Sequence, residues 1–136
     1  MTDVALPGKA IRRLRTERDA WLTTVRPDGQ PQTSVVWCCW HDSALWIRSR
    51  PGARKVANIG AQPRVAVNLN SNGRGGDVVT LEGTAELVVD LPPQVRDAYI
   101  AKYARAITTG LRMTPDEMLA DYSASIRVDV RRARVW

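Results

Sequence analysis

The chain has 136 residues, of which 44% are hydrophobic and 25% are charged, and this composition predicts one globular domain, residues 1–136, with a modest core. No apolar run approaches the roughly 20 residues that a membrane-spanning helix needs, and the N-terminus lacks the apolar core of a signal peptide, so we expect a cytoplasmic protein with no membrane partner. The formal net charge of +6 favours an anionic partner without identifying it.

A basic helix is the first predicted element, within residues 1–19. Ile11 and Leu14 are available for packing, whereas many of the remaining positions carry positive charge. The cations are Lys9, Arg12, Arg13, Arg15 and Arg18. This pattern is compatible with a solvated helix face and with a track for an anionic ligand, and both interpretations stay open.

The core of a β-barrel is predicted for residues 20–90. Ala20–Val25 is rich in β-branched and aromatic residues, and the Pro-Asp-Gly segment at 27–29 supplies a hairpin turn after it. The next strand, residues 32–40, is apolar on both faces from Val35 onward. We therefore expect this strand to lie inside the sheet and to be covered on both sides.

The later elements complete a six-stranded pattern. The remaining strands are predicted at residues 44–49, 64–70, 77–90 and 125–136. Gly83 marks a bulge of the kind that curls a sheet into a barrel. Residues 91–124 form a helical insertion, in which Thr114 and Glu117 have the spacing of a capping box. Mostly antiparallel strands with short flanking helices predict a mainly β (α+β) fold, a small barrel.

Catalysis by protein side chains has little support in this sequence. The chain has one histidine, and it lacks a GxSxG motif, a Cys/His pairing and a cluster with metal-ligand spacing. His41 precedes Asp42 in a predicted turn, where a solvent-exposed pair is the ordinary outcome and a proton relay is the alternative. Cys38 and Cys39 are neighbours in a strand, so we expect both to be reduced packing residues. No catalytic residue and no metal site are predicted.

The strongest functional signal lies in residues 47–59. A strand ends at Ser49, a Pro-Gly turn follows, and Arg54 and Lys55 open a helix, which directs backbone N–H groups and two cations at one anionic group. Ser49 can bind a phosphate oxygen, Arg54 can bind it bidentately, and Lys55 can add a point charge. A solvated basic loop is the alternative from spacing alone. A protein that binds a phosphate in this way but has no reactive side chain is still an enzyme if a bound cofactor carries the chemistry.

Several segments together resemble a known family. Residues 31–69 resemble the cofactor-binding region of the pyridoxamine 5′-phosphate oxidase-like split-barrel flavoproteins, with a strand, a small-residue turn, an Arg-Lys pair, a helix, a Gln-Pro pair and a strand. Residues 22–31 are similar to the first hairpin of that family, and residues 80–85 to its v-x-G-x-A strand. The Asp-Gly-x-Pro hairpin, the Ser-Val-Val-Trp strand and the Lys-x-x-Asn helix look most like the actinobacterial deazaflavin-dependent branch, which binds coenzyme F420 rather than FMN.

The resemblance implies a six-stranded antiparallel split β-barrel that forms homodimers with cofactor sites at the interface. It implies an F420-dependent oxidoreductase that transfers a hydride between the deazaflavin and a small organic substrate. The alternatives are an FMN-dependent oxidase or reductase of the same fold and a non-catalytic F420 carrier. Nucleic-acid binding is not favoured, because interleaved exposed aromatics and a known motif are missing.

The resemblance also assigns cofactor-binding residues. The positions that run along the ring system are Ser34, Val35, Val36 and Trp37. Arg48 and Ser49 are expected at the phosphate, and Arg54 and Lys55 neutralise it. Ser34 stands where the FMN oxidases have a phosphate-binding arginine, which argues against a tight FMN site.

Three further residues or groups have two interpretations each. Asn58 either bonds the cofactor or is a satisfied structural amide. The first-helix cations, with Arg74, offer a track for the polyglutamate tail of F420. Trp136, beside the arginines of residues 131–134, is either a subunit anchor or a residue that packs on its own barrel.

Overall fold

A computed structural model describes residues 5–136; residues 1–4 of the predicted N-terminal segment lie outside the described part. The elements in chain order are α1 Gly8–Thr16, β1 Ala20–Val25, β2 Pro31–Val36, β3 Cys38–His41, β4 Ala44–Ser49, α2 Arg54–Ala61, β5 Arg64–Asn68, β6 Val79–Val88, α3 Pro93–Arg105, α4 Pro115–Asp121 and β7 Ala124–Val135. A π-helical turn, Ala106–Gly110, follows α3. Within the described range, no helix is long and apolar enough to cross a membrane.

The strands form one antiparallel sheet in the order β2-β1-β5-β6-β7-β4-β3. β2 and β3 lie at opposite ends of this order, yet only Trp37 separates them in the chain. The two ends of the sheet must therefore come together at Trp37, which curls the sheet into a barrel. The expectation of a mainly β split barrel with short flanking helices is confirmed.

The strand count differs from the prediction, because the expected strand at 32–40 is two strands. Val36 pairs with Ala20 of β1, whereas Cys38 pairs with Ile47 of β4. The chain leaves one hairpin and enters another at this point, so the sheet has seven strands rather than six. The expectation that Val35 is covered on both sides is also wrong: its side chain is 50% exposed, because β2 is an end strand that borders a cavity.

Two glycines fix the shape of the sheet. Gly29 has φ +89° and donates its N–H to the Arg26 carbonyl at 2.8 Å, which closes the β1–β2 hairpin. At Gly83 the β6–β7 register shifts, and a Cβ there would lie 2.3 Å from the Asp129 carbonyl oxygen. The predicted hairpin and bulge are both confirmed.

The buried side chains form two clusters on opposite faces of β4. Leu45 and Ile47 point into the barrel, where the first cluster also holds Leu14 of α1. Trp46 points to the other face, where the second cluster is built with α3 and α4. Because alternate residues of a strand face opposite sides, every residue of β4 is buried. The strand that is covered on both faces is therefore β4, and not the segment at 32–40.

Two local predictions, the packing role of the cysteines and the capping box at Thr114, are confirmed. Cys38 and Cys39 are free and buried, one in each cluster. Thr114 and Glu117 form both hydrogen bonds of a capping box at the start of α4.

Candidate functional site

A cavity of about 350 Å³ opens where β2 and β4 end and α2 begins, with the helical insertion as its far wall. Six of the eight residues that the sequence assigned to a cofactor line it. They are Val35, Val36, Trp37, Arg48, Ser49 and Lys55. Ser34 and Arg54 are not part of the lining, and Arg54 is exposed. The structure thus brings the end of β2 and the start of α2 to one place.

The polar side of the cavity is the turn between β4 and α2. Ser49 is buried and donates its hydroxyl to the Arg50 carbonyl at 3.0 Å. The first-turn amide groups of Arg54 and Lys55 meet no acceptor in the part of the chain that the structure describes. Such groups at a helix N-terminus are donors for an anion.

Lys55 lines the cavity at the start of α2. Its side chain is half-buried, and burial lowers its pKa. Among residues 5–136 it has no acidic partner. A partly desolvated ammonium group without a counter-charge favours the binding of an anion beside it.

Arg48 has a different environment on the same cavity wall. Its Nη1 donates to Asp90 Oδ1 at 3.0 Å and to Ser125 Oγ at 2.8 Å, and its Nη2 donates to the Leu119 carbonyl. The side chain is 5% exposed, and its Nε is a buried donor that finds no acceptor among the described residues. Arg48 therefore joins β4, β7 and α4.

Aromatic side chains fix the junction between β2 and β3. The Trp37 ring stacks on Tyr103 with centroids 4.5 Å apart and planes 4° apart. The Tyr103 hydroxyl accepts from the Cys38 amide at 2.8 Å and donates to the Arg18 carbonyl at 2.7 Å. The Tyr99 hydroxyl donates to the Trp37 carbonyl at 3.4 Å. Burial raises the pKa of both tyrosines, so both phenols stay protonated.

Seven lining residues were not predicted from the sequence. They are Asp19, Arg50, Ala53, Tyr99, Leu111, Met118 and Tyr122. Arg50 lies inside the segment 47–59 that the sequence analysis identified, so its charge could have predicted its place at the cavity. It pairs with Asp121 at 3.1 Å and lies over the Tyr122 ring at 5.0 Å. The residues of α3 and α4 gave no local signal, because their place at the cavity depends on long-range packing.

Two residues with open roles lie away from the cavity. Asn58 is buried, and its amide nitrogen donates to Thr24 Oγ1 and Gln32 Oε1, each at 3.0 Å. Of its two interpretations, the structural amide is the one observed. His41 ends β3 with its Nδ1 3.3 Å from Asp42 Oδ2, outside the cavity lining. The described residues contain no cluster that could hold a metal ion.

The first-helix cations border a second, open cavity. Lys9, Arg12 and Arg13 line it together with Glu17 and with residues of the 70–77 loop, which include Asp77, and it shares no lining residue with the first cavity. Arg13 donates to Glu17 and to the carbonyls of residues 70 and 77. The C-terminal Trp136 is 59% exposed, so it does not pack fully on its own barrel.

Comparisons with known proteins fit this fold. The sequence matches the family model described as Pyridoxamine 5'-phosphate oxidase over residues 7–136. A conserved hypothetical protein of Mycobacterium tuberculosis has a similar structure, with 24% identity over 98% of this chain and 86% of that chain and a TM-score of 0.76. An F420 reductase has 23% identity over 96% and 98% of the two chains, with a TM-score of 0.72.

The heme storage protein HutZ from Vibrio cholerae is also similar, with 19% identity over 94% of this chain and 93% of that chain and a TM-score of 0.70. At these identities the likeness to the solved structures shows the fold alone. No curated protein matches the sequence.

Proposed function

The chain belongs to the pyridoxamine 5'-phosphate oxidase family, and we propose that it is an F420-dependent oxidoreductase that transfers a hydride between the cofactor and a small organic substrate. The observation that carries this proposal is Lys55, a half-buried cation without an acidic partner in the described chain, at the start of a helix that faces a cavity. A phosphate supplies the missing counter-charge.

The residues at the cavity fit a phosphate-bearing cofactor. Lys55 supplies a charge without an acidic partner in the described chain, and Ser49 and Arg50, which bond to the Arg50 carbonyl and to Asp121, line the same turn. Arg48 is held by Asp90, Ser125 and the Leu119 carbonyl, so in this proposal it supports the cavity wall. Arg54 is exposed outside the lining, so in this proposal it acts through its charge at longer range.

The cofactor choice rests on Ser34 and on the basic surface. A serine at this position leaves FMN without the arginine that the resemblance assigns to FMN oxidases, whereas a long anionic tail would give the cations at Lys9 and Arg12 a ligand. These features support F420 over FMN. The similarity to an F420 reductase agrees with this choice.

In this mechanism the bound deazaflavin supplies hydride chemistry, and the chain binds, orients and shields it. Val36 and Trp37 form the wall along which the ring system would lie. Stacking on Tyr103 fixes the Trp37 ring, so the wall is preorganised. The raised pKa of Tyr99 keeps its phenol protonated, so its hydroxyl remains the donor to the Trp37 carbonyl. We assign no side chain as an acid or base.

Two copies of the chain are proposed to complete each site. The cavity of about 350 Å³ is at the lower end of the range for pockets that bury a drug-sized ligand, and F420 with its tail is larger. The exposed Trp136, next to arginines, provides an apolar and cationic surface of the composition found in subunit interfaces. A cytoplasmic location stays a prediction.

A non-catalytic carrier is the second candidate. It is favoured by the cavity lining, in which Asp19 is the sole carboxylate and no histidine or cysteine is present. The Asp19 carboxylate is itself paired with Arg18 at 3.1 Å. The similar fold of a heme storage protein agrees with a binding role. Turnover with reduced F420 and a panel of substrates separates this candidate from an oxidoreductase.

The test is a fluorescence titration of the purified chain with oxidised F420 and with FMN. We expect F420 to bind more tightly than FMN, and Lys55→Met to weaken F420 binding by about tenfold or more, because a charge-assisted contact is lost. Arg54→Met is the matched control and should have a smaller effect, because Arg54 lies outside the cavity. Binding of neither cofactor would refute the proposal, and tighter binding of FMN would replace F420 by FMN.

A further inference from the structure

The loop at 70–77 is a glycine-rich turn built around one asparagine. Its sequence, Asn-Ser-Asn-Gly-Arg-Gly-Gly-Asp, contains the single Asn-Gly pair of the chain, Asn72-Gly73. Attack of the Gly73 backbone nitrogen on Asn72 Cγ closes a five-membered ring, and glycine has no Cβ to obstruct that attack. Because both reacting groups belong to neighbouring residues, the reaction is intramolecular and needs no external nucleophile.

Two backbone amides of this loop bond to the side-chain carbonyl of Asn72. Its Oδ1 accepts from the Arg74 amide at 2.8 Å and from the Gly76 amide at 3.0 Å. When a nucleophile attacks Cγ, negative charge develops on Oδ1, and donors that are already in place stabilise that charge. The loop therefore forms an oxyanion hole around one of its own side chains.

The nitrogen that would attack also has a hydrogen-bond partner. The Gly73 amide donates to Ser71 Oγ at 3.1 Å, and Ser71 is exposed to solvent. The proton that this nitrogen must lose is thus directed at a hydroxyl group that contacts water. Gly73 has φ +83°, a conformation that glycine adopts readily.

Close packing keeps the Asn72 side chain inside the loop. A Cβ on Gly76 would lie 2.7 Å from Asn72 Nδ2, and the Asn72 amide donates to the Gly76 carbonyl at 3.0 Å. Arg13 of α1 donates to the carbonyls of Asn70 and Asp77 at the two ends of the loop. The loop is therefore attached to α1 at both ends.

The two neighbouring asparagines lack this arrangement. Asn70 precedes Ser71, and its Oδ1 accepts from Trp21 Nε1 at 2.7 Å. Asn68 precedes Leu69, and its Nδ2 donates to the Leu69 carbonyl at 3.3 Å. Neither is followed by a glycine, and neither side-chain carbonyl accepts from two backbone amides. Both residues are internal controls for any reaction at residue 72.

We infer that Asn72 is a self-modification site, at which the folded loop converts this asparagine to aspartate and isoaspartate. The Gly73 nitrogen bonds to Asn72 Cγ, and the Cγ–Nδ2 bond breaks. The proton of the Gly73 nitrogen passes through the Ser71 hydroxyl and water to Nδ2, which leaves as ammonia. Water then hydrolyses the cyclic imide at either of its two carbonyl groups, and nothing is oxidised or reduced.

The product changes the charge of the second cavity, which Asn72 lines. Three cationic and two acidic side chains line the same cavity: Lys9, Arg12, Arg13, Glu17 and Asp77. One further carboxylate removes this excess of positive charge, so the aged chain attracts anions less strongly there than the new chain. The modification itself does not depend on the proposed function, whereas its effect on a cofactor tail does.

The test incubates the purified chain at mildly alkaline pH and follows each asparagine by mass spectrometry of proteolytic peptides. We expect Asn72 to gain the mass of an amide-to-acid conversion while Asn68 and Asn70 stay unchanged. The chain unfolded in urea is the reference, and conversion of Asn72 should be several times faster in the folded chain, because only the folded loop holds the donors on Oδ1. Equal or slower conversion in the folded chain would overturn the inference.

Gly76→Ala separates the geometry of the loop from the Asn-Gly sequence. The new Cβ displaces the Asn72 side chain and leaves the Asn-Gly pair intact, so conversion in the folded chain should slow by about tenfold. Gly60→Ala is the matched control, because a Cβ there meets nothing within 4 Å, and it should leave the rate unchanged. In urea the three chains should convert at the same rate. Equal rates in the folded state as well would refute the role of the loop.

Discussion

Two cationic regions of the cavity wall differ in what their charges contact. At the junction of β4, β7 and α4, Arg48 is almost fully buried and is held by Asp90, Ser125 and the Leu119 carbonyl. At the start of α2, Lys55 is half-buried and has no acidic partner among the described residues. A cation near a cavity thus serves the fold when the protein supplies its counter-charge, and it is available to a ligand when the protein supplies none.

Replacing the satisfied cation should have the largest effect. We expect Arg48→Leu to lower the free energy of unfolding by about 3 kcal/mol, because Ser125 and the Leu119 carbonyl lose their buried donor. Urea unfolding measures this change. Lys55→Leu is the control and should leave the free energy of unfolding nearly unchanged. An equal decrease in the free energy of unfolding in the two variants would show that Arg48 and Lys55 do not differ in their contribution to the fold.

The unsatisfied cation should control how anion binding responds to pH. Burial lowers the pKa of Lys55 in the free chain, and a bound anion raises it, so binding takes up a proton between the two pKa values. Affinity for sulfate, whose charge stays constant, is therefore highest below the pKa of free Lys55. It falls as the pH rises through that value, by at most about tenfold per pH unit.

Calorimetric titration with sulfate at a series of pH values measures this dependence. Lys55→Arg is the control, because its guanidinium stays charged and its affinity should not vary with pH. A wild-type affinity as independent of pH as that of Lys55→Arg would show that the anion does not contact Lys55. Lys55 would then have no role in anion binding that distinguishes it from Arg48.

The smallest effect is expected at a third basic region, around Lys9 and Arg12, which borders the second cavity. F420 forms with longer polyglutamate tails should bind more tightly and with a steeper salt dependence, because exposed charges attract the tail through a screened field. The variant with Lys9→Gln and Arg12→Gln should remove that dependence on tail length. Salt dependence that is the same for every tail length would place the tail elsewhere.

The sequence predicted the parts of the site that are contiguous in the chain. Ser49 and Lys55 line the cavity as a pair because a strand, a turn and a helix start follow one another within a few residues. The same pattern could not tell Lys55 from Arg54, because the direction of a side chain on a helix depends on what the helix packs against. Leu111 and Tyr99 were missed for a related reason: their helical insertion returns to the sheet through long-range contacts.

The fold was predicted to a similar degree. Gly29 and Gly83 have local backbone requirements, and the structure confirms both the hairpin and the bulge. The strand count was wrong because residues 35–40 are uniformly apolar, and the change of partner at Trp37 has no compositional mark. Where a strand changes its pairing partner is determined by the packing of the whole barrel and not by the residues at the point of change.

The position of Trp37 has a consequence for motion. The two end strands of the sheet are tethered through this one residue, and the same residue forms a wall of the cavity. Any breathing of the barrel along this seam must displace the cavity wall as well. Amide hydrogen exchange at Val36 and Cys38 should therefore slow together when a ligand occupies the cavity, as two readouts of a single opening event.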